Sequence, residues 1–416
     1  MRTEDCFGNN YHYIWSDNWY LDNDKAWFMA GSIDLLFCLD IKTKKTDLVD
    51  YIISDAKDPF RQHPRIIKIK NKIVCLPDTG KDVWVYHLDN QLWSNIMIKN
   101  PYNTRLFCHK AWFIKGRLYM VSLGLKQIIE IDLDKEEVTD YHNLAVNQSE
   151  RLTDCILIDK YIYIIGFDSA YIYKFDCLNK SIQIFKLIDV DDQLCTICFD
   201  GRKFWMSGRC KKIYIWDEIT NKIEIISKFP EEFGIWNFNG KYKQILNCKE
   251  NLKDSPLFIS SISVGDFIWF IPYQTNEILY VKKDTYEIKV FSLQNELQTQ
   301  DNLDKQLLNT KYLLEYVRDG RYIGIFSLKN KWIFEIDSWK LDYKILDYSL
   351  NKALIEQIDR IIFNSVIRRY GIYGEQYSDD LRCLMEGFVS YNRDSIKKCN
   401  KMMTIGKQIY SIIEAQ

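Results

Sequence analysis

Short apolar runs separated by polar breaks recur along most of the chain, and residues 151–185 show the unit most clearly. This stretch reads RLTDCILIDKYIYIIGFDSAYIYKFDCLNKSIQIF and contains four runs rich in Ile, Tyr and Phe. The breaks at 159–160, 167–169 and 179–180 carry residue types that suit tight turns. The pattern predicts four consecutive β-strands joined by short turns.

The same unit repeats about seven times. A polar anchor near the end of each predicted third strand is followed six positions later by a residue suited to the fourth strand. Four of the six spacings between anchors are 41 to 47 residues, a period typical of propeller blades with four strands each. The anchors are Asp40, His87, Asp132, Asp176, Asp217, Lys282 and Asp337, and the residues six positions later are Thr46, Trp93, Val138, Ile182, Ile223, Ile288 and Tyr343.

A second register supports the first, because a turn suited to a hairpin lies about sixteen residues before each anchor. Many strands are apolar on both faces, as expected for sheets that stack against neighbours on either side. The sequence therefore predicts a mainly β protein, a seven-bladed β-propeller of four-stranded antiparallel blades within residues 1–350. The turns are Asn23-Asp24, Asn71-Lys72, Lys115-Gly116, Asp159-Lys160, Asp200-Gly201, Gly265-Asp266 and Asp319-Gly320.

Within this fold the pattern distantly resembles the WD-repeat and kelch classes of propeller. Trp216-Asp217 and the other apolar-Asp pairs are similar to the WD signature, and the resemblance covers roughly residues 11–350. The Gly-His of WD repeats and the double Gly of kelch blades are missing, so the resemblance implies the fold and no class of partner. Residues 11–15 form a spare strand that could pair with the last blade.

After Leu350 the apolar spacing changes from that of strands to that of helices. Asn351 is a candidate N-cap, and about three helices are predicted within residues 351–416. Because so short a helical segment cannot bury much apolar surface alone, we expect this C-terminal extension to dock on the propeller or on a partner. Self-association through the extension is a further expectation.

Charge and composition limit the classes of partner that this protein is expected to bind. Lys plus Arg total 56 against 57 Asp plus Glu, so no net field attracts nucleic acid or an anionic membrane. No apolar run approaches a membrane-spanning length, and the start lacks the features of a secretion leader. The 12 cysteines are scattered through predicted strands, which suits reduced thiols. We expect a cytoplasmic protein, and the abundance of Ile, Lys, Asn and Tyr indicates an AT-rich genome.

Common catalytic and ligand-binding motifs are missing from the sequence. The C-x-x-C at Cys195 and Cys198 lies in a predicted strand, where residues three apart point to opposite faces, so it suits neither zinc nor a redox pair. The five histidines share no spacing typical of metal ligands. The sequence predicts no metal site and no cofactor.

The best candidate site is predicted from the geometry of the fold and not from a sequence motif. In a propeller the loops between second and third strands meet around the central channel on one face, where mixed charges suit a polar ligand. An insertion at about 229–256 is a lid candidate whose aromatic residues, among them Phe233, could stack on a sugar or a peptide side chain. The candidate ligand-binding residues are Asp78, Lys81, Asp82, Lys126, Asp168, Arg209, Tyr273, Asn276 and Lys331 on the loops, with Trp236 and Phe238 on the lid.

Two functions remain open at this point. The first is a non-enzymatic binding or scaffold protein that recognises a peptide, protein or glycan partner on the loop face of the propeller. The alternative is a glycan- or peptide-modifying enzyme of lyase or hydrolase type, with Asp78, Asp82 and Asp168 as acid and base in the central funnel. A role in a bacterial surface-glycan or natural-product pathway is compatible with either function.

Overall fold

The structure is a computed structural model that describes residues 16–30, 34–52, 62–101, 104–144, 147, 149–231, 233, 256–273, 277–293, 312–327, 332–346, 348, 350–358 and 361. These residues contain seven four-stranded sheets, each built from four strands that are consecutive in the chain. All strand pairs are antiparallel, as in the hairpins between β13 (Leu152–Ile158), β14 (Tyr161–Gly166), β15 (Tyr171–Asp176) and β16 (Ile182–Lys186). The predicted seven-bladed propeller is confirmed.

The strand bounds follow the predicted repeat. Blades 1 to 3 contain β1 (Tyr20–Asp22), β2 (Lys25–Met29), β3 (Leu35–Asp40), β4 (Lys45–Tyr51); β5 (Arg65–Ile69), β6 (Lys72–Leu76), β7 (Asp82–His87), β8 (Leu92–Met97); and β9 (Cys108–Ile114), β10 (Arg117–Ser122), β11 (Gln127–Asp132), β12 (Glu137–Asn143). Blade 4 contains β13 to β16. Blades 5 to 7 contain β17 (Thr196–Phe199), β18 (Phe204–Ser207), β19 (Ile213–Asp217), β20 (Lys222–Ile226); β21 (Phe258–Val264), β22 (Phe267–Pro272), β23 (Glu277–Lys282), β24 (Ile288–Ser292); and β25 (Tyr312–Arg318), β26 (Tyr322–Ser327), β27 (Ile333–Asp337), β28 (Asp342–Leu346).

Each polar anchor is the last residue of a third strand, and the five Asp anchors share one turn chemistry. The carboxylate of Asp40, for example, accepts hydrogen bonds from the backbone N–H groups of Lys42 and Thr43 at 3.0 and 2.8 Å. A carboxylate that bonds to the backbone two and three residues ahead stabilises a tight turn locally. In all seven blades the residue four positions after the anchor has a positive φ: Lys44, Gln91, Glu136, Lys180, Asn221, Tyr286 and Leu341.

The first strands of successive blades contact one another around the ring, so they are the innermost strands. Adjacent blades share buried apolar clusters: Val74 and Met120 pack in one cluster between blades 2 and 3, and Val121 and Ile162 in the next. Burial against both neighbours explains why so many strands are apolar on both faces.

Blades 7 and 1 close the ring through side-chain contacts and one backbone hydrogen bond. Among the described residues, neither of these blades contributes a strand to the sheet of the other. The backbone N–H of Trp19 donates to the carbonyl of Glu315 at 3.0 Å, and the hydroxyl of Ser16 donates to the Glu315 carboxyl at 2.8 Å. The indole of Trp19 stacks on Phe28 at 5.0 Å and on Tyr316 at 5.7 Å. The predicted spare strand at 11–15 lies outside the described residues.

A second unit comprises Met1–His12, Ile53–Pro59 and Leu350–Gln416. Its described part contains one helix, α1 at 352–358, and the side chain of Asn351 accepts a hydrogen bond from the N–H of Leu354 at 2.9 Å. This contact confirms the predicted N-cap. The other helices predicted in the extension lie outside the described residues. No described helix is long and apolar enough to cross a membrane.

Candidate functional site

Two sets of loops lie at the same end of the blades. Because successive strands run antiparallel, the loops between second and third strands share one face with the connections from each fourth strand to the next blade. We call this the loop face. It carries seven of the predicted ligand residues within the described part of the chain: Asp78, Lys81, Asp82, Lys126, Asp168, Arg209 and Tyr273.

Asp78 is buried and paired with a cation from the next connection. Arg105 donates from Nη2 to Asp78 Oδ2 at 2.6 Å and from Nε to Oδ1. The Asp78 side chain is 0% exposed, whereas that of Arg105 is 51% exposed. The cation therefore faces solvent and the carboxylate lies beneath it.

Asp82 lies beside a buried histidine that also contacts blade 1. His63 Nδ1 is 3.1 Å from Asp34 Oδ2, and Nε2 is 3.5 Å from Asp82 Oδ1. Although burial opposes the charge, the two carboxylates raise the pKa of His63 to about 9. Gly80 is required here, since a Cβ at that position would lie 2.6 Å from His63 Nε2. This contact joins blades 1 and 2.

Asp168 and Arg209 belong to a group at the junction of blades 4 and 5. Arg151 donates to both Asp168 oxygens, at 2.7 and 3.1 Å, and this pairing lowers the pKa of Asp168. The guanidinium of Arg209 donates to the Gln193 side chain. Both arginines also approach Phe167, with Cζ 4.1 Å from the ring centroid for Arg151 and 6.0 Å for Arg209. We call Arg151, Phe167 and Arg209 the Phe167 stack.

The remaining candidates are not brought together. Lys126 donates to the Asn147 carbonyl at 3.1 Å, Lys81 is exposed, and burial raises the pKa of Tyr273. Phe233, expected on a lid, is instead buried and stacks on Phe258 at 5.7 Å, so that expectation is wrong. The other loop and lid candidates, Asn276, Lys331, Trp236 and Phe238, lie outside the described residues.

A second aromatic group lies at the junction of blades 2 and 3, and sequence reasoning missed it. The guanidinium groups of Arg65 and Arg105 both approach Phe107, with Cζ at 5.4 and 5.0 Å from its ring centroid. Its φ is +44°, a left-handed conformation that costs on the order of 1 to 3 kcal/mol for a bulky side chain. Residues held in such conformations cluster at binding sites.

Beside Phe107, the first strand of blade 3 presents a histidine and a lysine to a buried carboxylate. His109 Nε2 and Lys110 Nζ lie 2.9 and 2.7 Å from Asp154 Oδ1. Although burial opposes ionisation, Lys110 and His109 hold the pKa of Asp154 below its usual range, and burial lowers the pKa of His109. We call Arg65, Arg105, Phe107, His109 and Lys110 the Phe107 cluster.

Local irregularity in the first strands helps to place these groups. The β9–β10 register shifts at Val121/Ser122, and the β13–β14 register shifts between Leu152 and Cys155. Such bulges redirect side chains and are frequent beside binding sites. One sequence signal could have found part of the group, because Arg65, Lys110 and Asp154 recur at 45 and 44 residues, the period of the blades.

Comparison with known proteins gives the fold and no family. No protein-family model matches the sequence, and no curated protein matches it. Virginiamycin B lyase from Staphylococcus aureus aligns over 77% of this chain and 94% of its own, with 11% identity and a TM-score of 0.54. A catalytically inactive form of that lyase, with quinupristin, aligns over 76% and 93%, with 11% identity and a TM-score of 0.53.

A third similar structure is PorZ, an essential bacterial surface component of the type-IX secretion system of Porphyromonas gingivalis. It aligns over 82% of this chain and 38% of its own, with 9% identity and a TM-score of 0.51. At these identities the similarities show a shared propeller architecture. Function has to be argued from this chain's own residues.

Proposed function

We propose that this protein is a binding protein whose loop face holds an anionic group of a partner, at the Phe107 cluster. The observation that carries the proposal is a difference in exposure: each of three cations is more exposed than the carboxylate that it contacts. The exposed fractions of the side chains are 51% for Arg105 against 0% for Asp78, and 39% for Lys110 against 7% for Asp154. Arg65 and Asp17 show 14% against 5%.

This arrangement prepares the cations for a ligand. A guanidinium has five N–H donors, and the two bonds from Arg105 to Asp78 use two of them. Arg65 Nη1 is buried and has no hydrogen-bond partner among the described residues. Because the carboxylates fix the side chains, an incoming anion would order fewer rotamers than it would on a mobile surface. The cluster is therefore suited to carboxylate, which matches the planar guanidinium fork.

The attraction is local, since the chain as a whole has a formal net charge of −1. A local patch favours a ligand with a few charges over a long nucleic acid, which requires an extended basic surface. Exposed charges are also screened by salt. Binding should therefore weaken as ionic strength rises.

Fluorescence anisotropy with a labelled oligo-glutamate peptide tests this proposal, with oligo-lysine and single-stranded oligo-dT as comparison probes. The D78N/R105Q variant removes the Arg105 cation without leaving the buried Asp78 charge unpaired. We expect at least a tenfold loss of oligo-glutamate affinity in this variant, because one charge-assisted pair is removed. The matched control is R202Q, which removes an exposed cation from the turn between β17 and β18 on the opposite face.

Two outcomes would contradict the proposal. One is the absence of oligo-glutamate binding by the wild-type protein at low salt. The other is an equal loss of affinity in D78N/R105Q and R202Q, which would indicate nonspecific attraction. Stronger binding of oligo-dT than of oligo-glutamate would replace the acidic partner by nucleic acid.

A second candidate function is proton transfer, and the pair His109 and Asp154 favours it. The carboxylate holds the proton on Nε2, so the neutral imidazole has its basic site at Nδ1, which is buried and has no hydrogen-bond partner among the described residues. A water or substrate group therefore has to reach this buried atom for His109 to act as a base. An imidazole oriented in this way is suited to act as a general base, and Lys110 could stabilise a developing anion. By contrast, the lowered pKa values of Asp82 and Asp168 make both poor general acids.

Hydrolysis of p-nitrophenyl acetate tests this second function. Hydroxide from a water deprotonated at Nδ1 would add to the ester carbonyl, and the acetyl–oxygen bond would break to release p-nitrophenolate. We expect H109Q to abolish hydrolysis and H142Q, at another histidine paired with a carboxylate, to leave it unchanged. Equal rates in wild type and H109Q would exclude His109 as a general base toward this ester.

A further inference from the structure

The Phe167 stack reproduces the arrangement of the Phe107 cluster on the same face. In both, two arginines approach a phenylalanine, and one of these arginines makes two hydrogen bonds to an aspartate of a loop between second and third strands. For the stack these bonds join Arg151 to Asp168. The Arg151 side chain is 64% exposed against 31% for Asp168, so the cation is again the outer member.

The two groups are not copies of one position in the repeat. Phe107 directly precedes the first strand of blade 3, whereas Phe167 directly follows the second strand of blade 4. The same grouping therefore arises from different loop positions. Simple repetition of a blade sequence therefore does not account for it.

The positions of the two groups suit one ligand with two charges. One lies at the junction of blades 2 and 3 and the other at the junction of blades 4 and 5, about two-sevenths of a turn around the ring. Lys110, the cluster member on the first strand of blade 3, contacts the Asp154 carboxylate on the first strand of blade 4, so the Phe107 cluster extends to blade 4. An extended peptide places residues i and i+2 on one side at intervals of about 6.6 Å, so its acidic side chains could meet both groups.

The chemistry of the rings distinguishes a peptide from a glycan. Sugar recognition commonly uses an open aromatic face, but Phe107 and Phe167 each have arginines against the ring. The exposed donors are guanidinium groups, which match any carboxylate, so the choice of a peptide rests on the covered rings. These features favour an acidic peptide over an acidic polysaccharide.

We propose that the partner contributes an acidic peptide segment with two carboxylates, one bound at the Phe107 cluster and the other at the Phe167 stack. This inference rests on the proposed function and adds to it a second subsite and the class of partner. Two linked contacts of this kind strengthen each other, because the second one forms within the same complex.

Labelled peptides of equal length test the inference. One contains a single Glu and the others contain two, separated by one, three or five neutral residues. We expect at least one two-Glu peptide to bind wild-type protein ten times more tightly than the one-Glu peptide. R151Q changes an exposed side chain, so the fold should be retained, and it should lower the affinity of the two-Glu peptides to that of the one-Glu peptide. R202Q should change neither affinity.

The outcomes separate this inference from the proposed function. If wild type binds the one-Glu peptide but two-Glu peptides gain nothing, or if R151Q retains the gain, the second subsite is refuted and the proposed function stands. If no acidic peptide binds, both are refuted. If polygalacturonate binds more tightly than every peptide and requires both Arg105 and Arg151, the two subsites stand and the peptide assignment is refuted.

Discussion

Replacing His63 by glutamine should remove a pH-dependent part of the propeller's stability. His63 is buried between Asp34 and Asp82, and these carboxylates raise its pKa to about 9 in the folded protein. In the unfolded chain the pKa of histidine is about 6.5. The folded state therefore holds the proton more tightly than the unfolded state does.

The sign and size of the effect follow from this difference. The stabilisation is fully present below about pH 6.5 and is lost as the pH rises through about 9. A pKa difference of about 2.5 between the folded and unfolded states corresponds to about 3 kcal/mol of stability. Because His63 is almost completely buried, solvent screens its interaction with the carboxylates very little. The wild-type protein should lose about this much more stability than H63Q between about pH 6 and about pH 10.

Urea unfolding followed by tryptophan fluorescence at both pH values measures this quantity. The difference in unfolding free energy between wild type and H63Q is informative, because the titration of all other groups largely cancels. We expect wild type to be the more stable protein at low pH and the gap to narrow at high pH. A gap that is constant, or that widens as the pH rises, would refute the buried imidazolium.

Three further predictions concern other buried groups. H109Q should show the opposite trend: burial lowers the pKa of His109 in the folded protein, so its contribution to stability is lost as the pH falls through and below the ordinary histidine value of about 6.5. A difference in unfolding free energy between wild type and H109Q that grows on acidification in urea titrations would contradict this. D154N should lower the free energy of unfolding by about 3 kcal/mol, because the Asp154 carboxylate accepts four hydrogen bonds. A loss below about 1 kcal/mol in urea unfolding would contradict this role of the carboxylate. W19A should lower the free energy of unfolding by about 3 to 5 kcal/mol, and W339A, at a 67% exposed residue, by less than about 1 kcal/mol. Equal losses in urea unfolding would contradict the role of Trp19 in closing the ring.

The fold could be predicted because its signals are local. Asp40 and its equivalents stabilise turns through backbone N–H groups two and three residues away, so their chemistry is visible within one repeat. The closure of the ring could not be predicted in the same way. Its contacts, such as the one between Ser16 and Glu315, join residues almost 300 positions apart.

The candidate site also combines features that could be predicted from the sequence with features that could not. The position of Asp78 on a loop followed from the repeat, but its partner Arg105 comes from the next connection, and no spacing rule links the two. The left-handed conformation of Phe107 is also a product of tertiary contacts: its N–H donates to the Asp78 carbonyl at 3.0 Å, and its own carbonyl accepts from Leu123 at 3.1 Å. Loop position was therefore predictable, whereas the pairing that fixes each side chain was not.

Each described blade is formed by one continuous stretch of sequence, and this allows the order of the blades in the chain to be re-engineered. Since blades 1 and 7 do not trade strands in the described residues, a cut between any two blades would leave every sheet whole. Circular permutants that begin at blade 3 or blade 5 should then assemble, provided a linker joins the original ends. The same modular boundaries would let gene duplication add or remove one whole blade at a time.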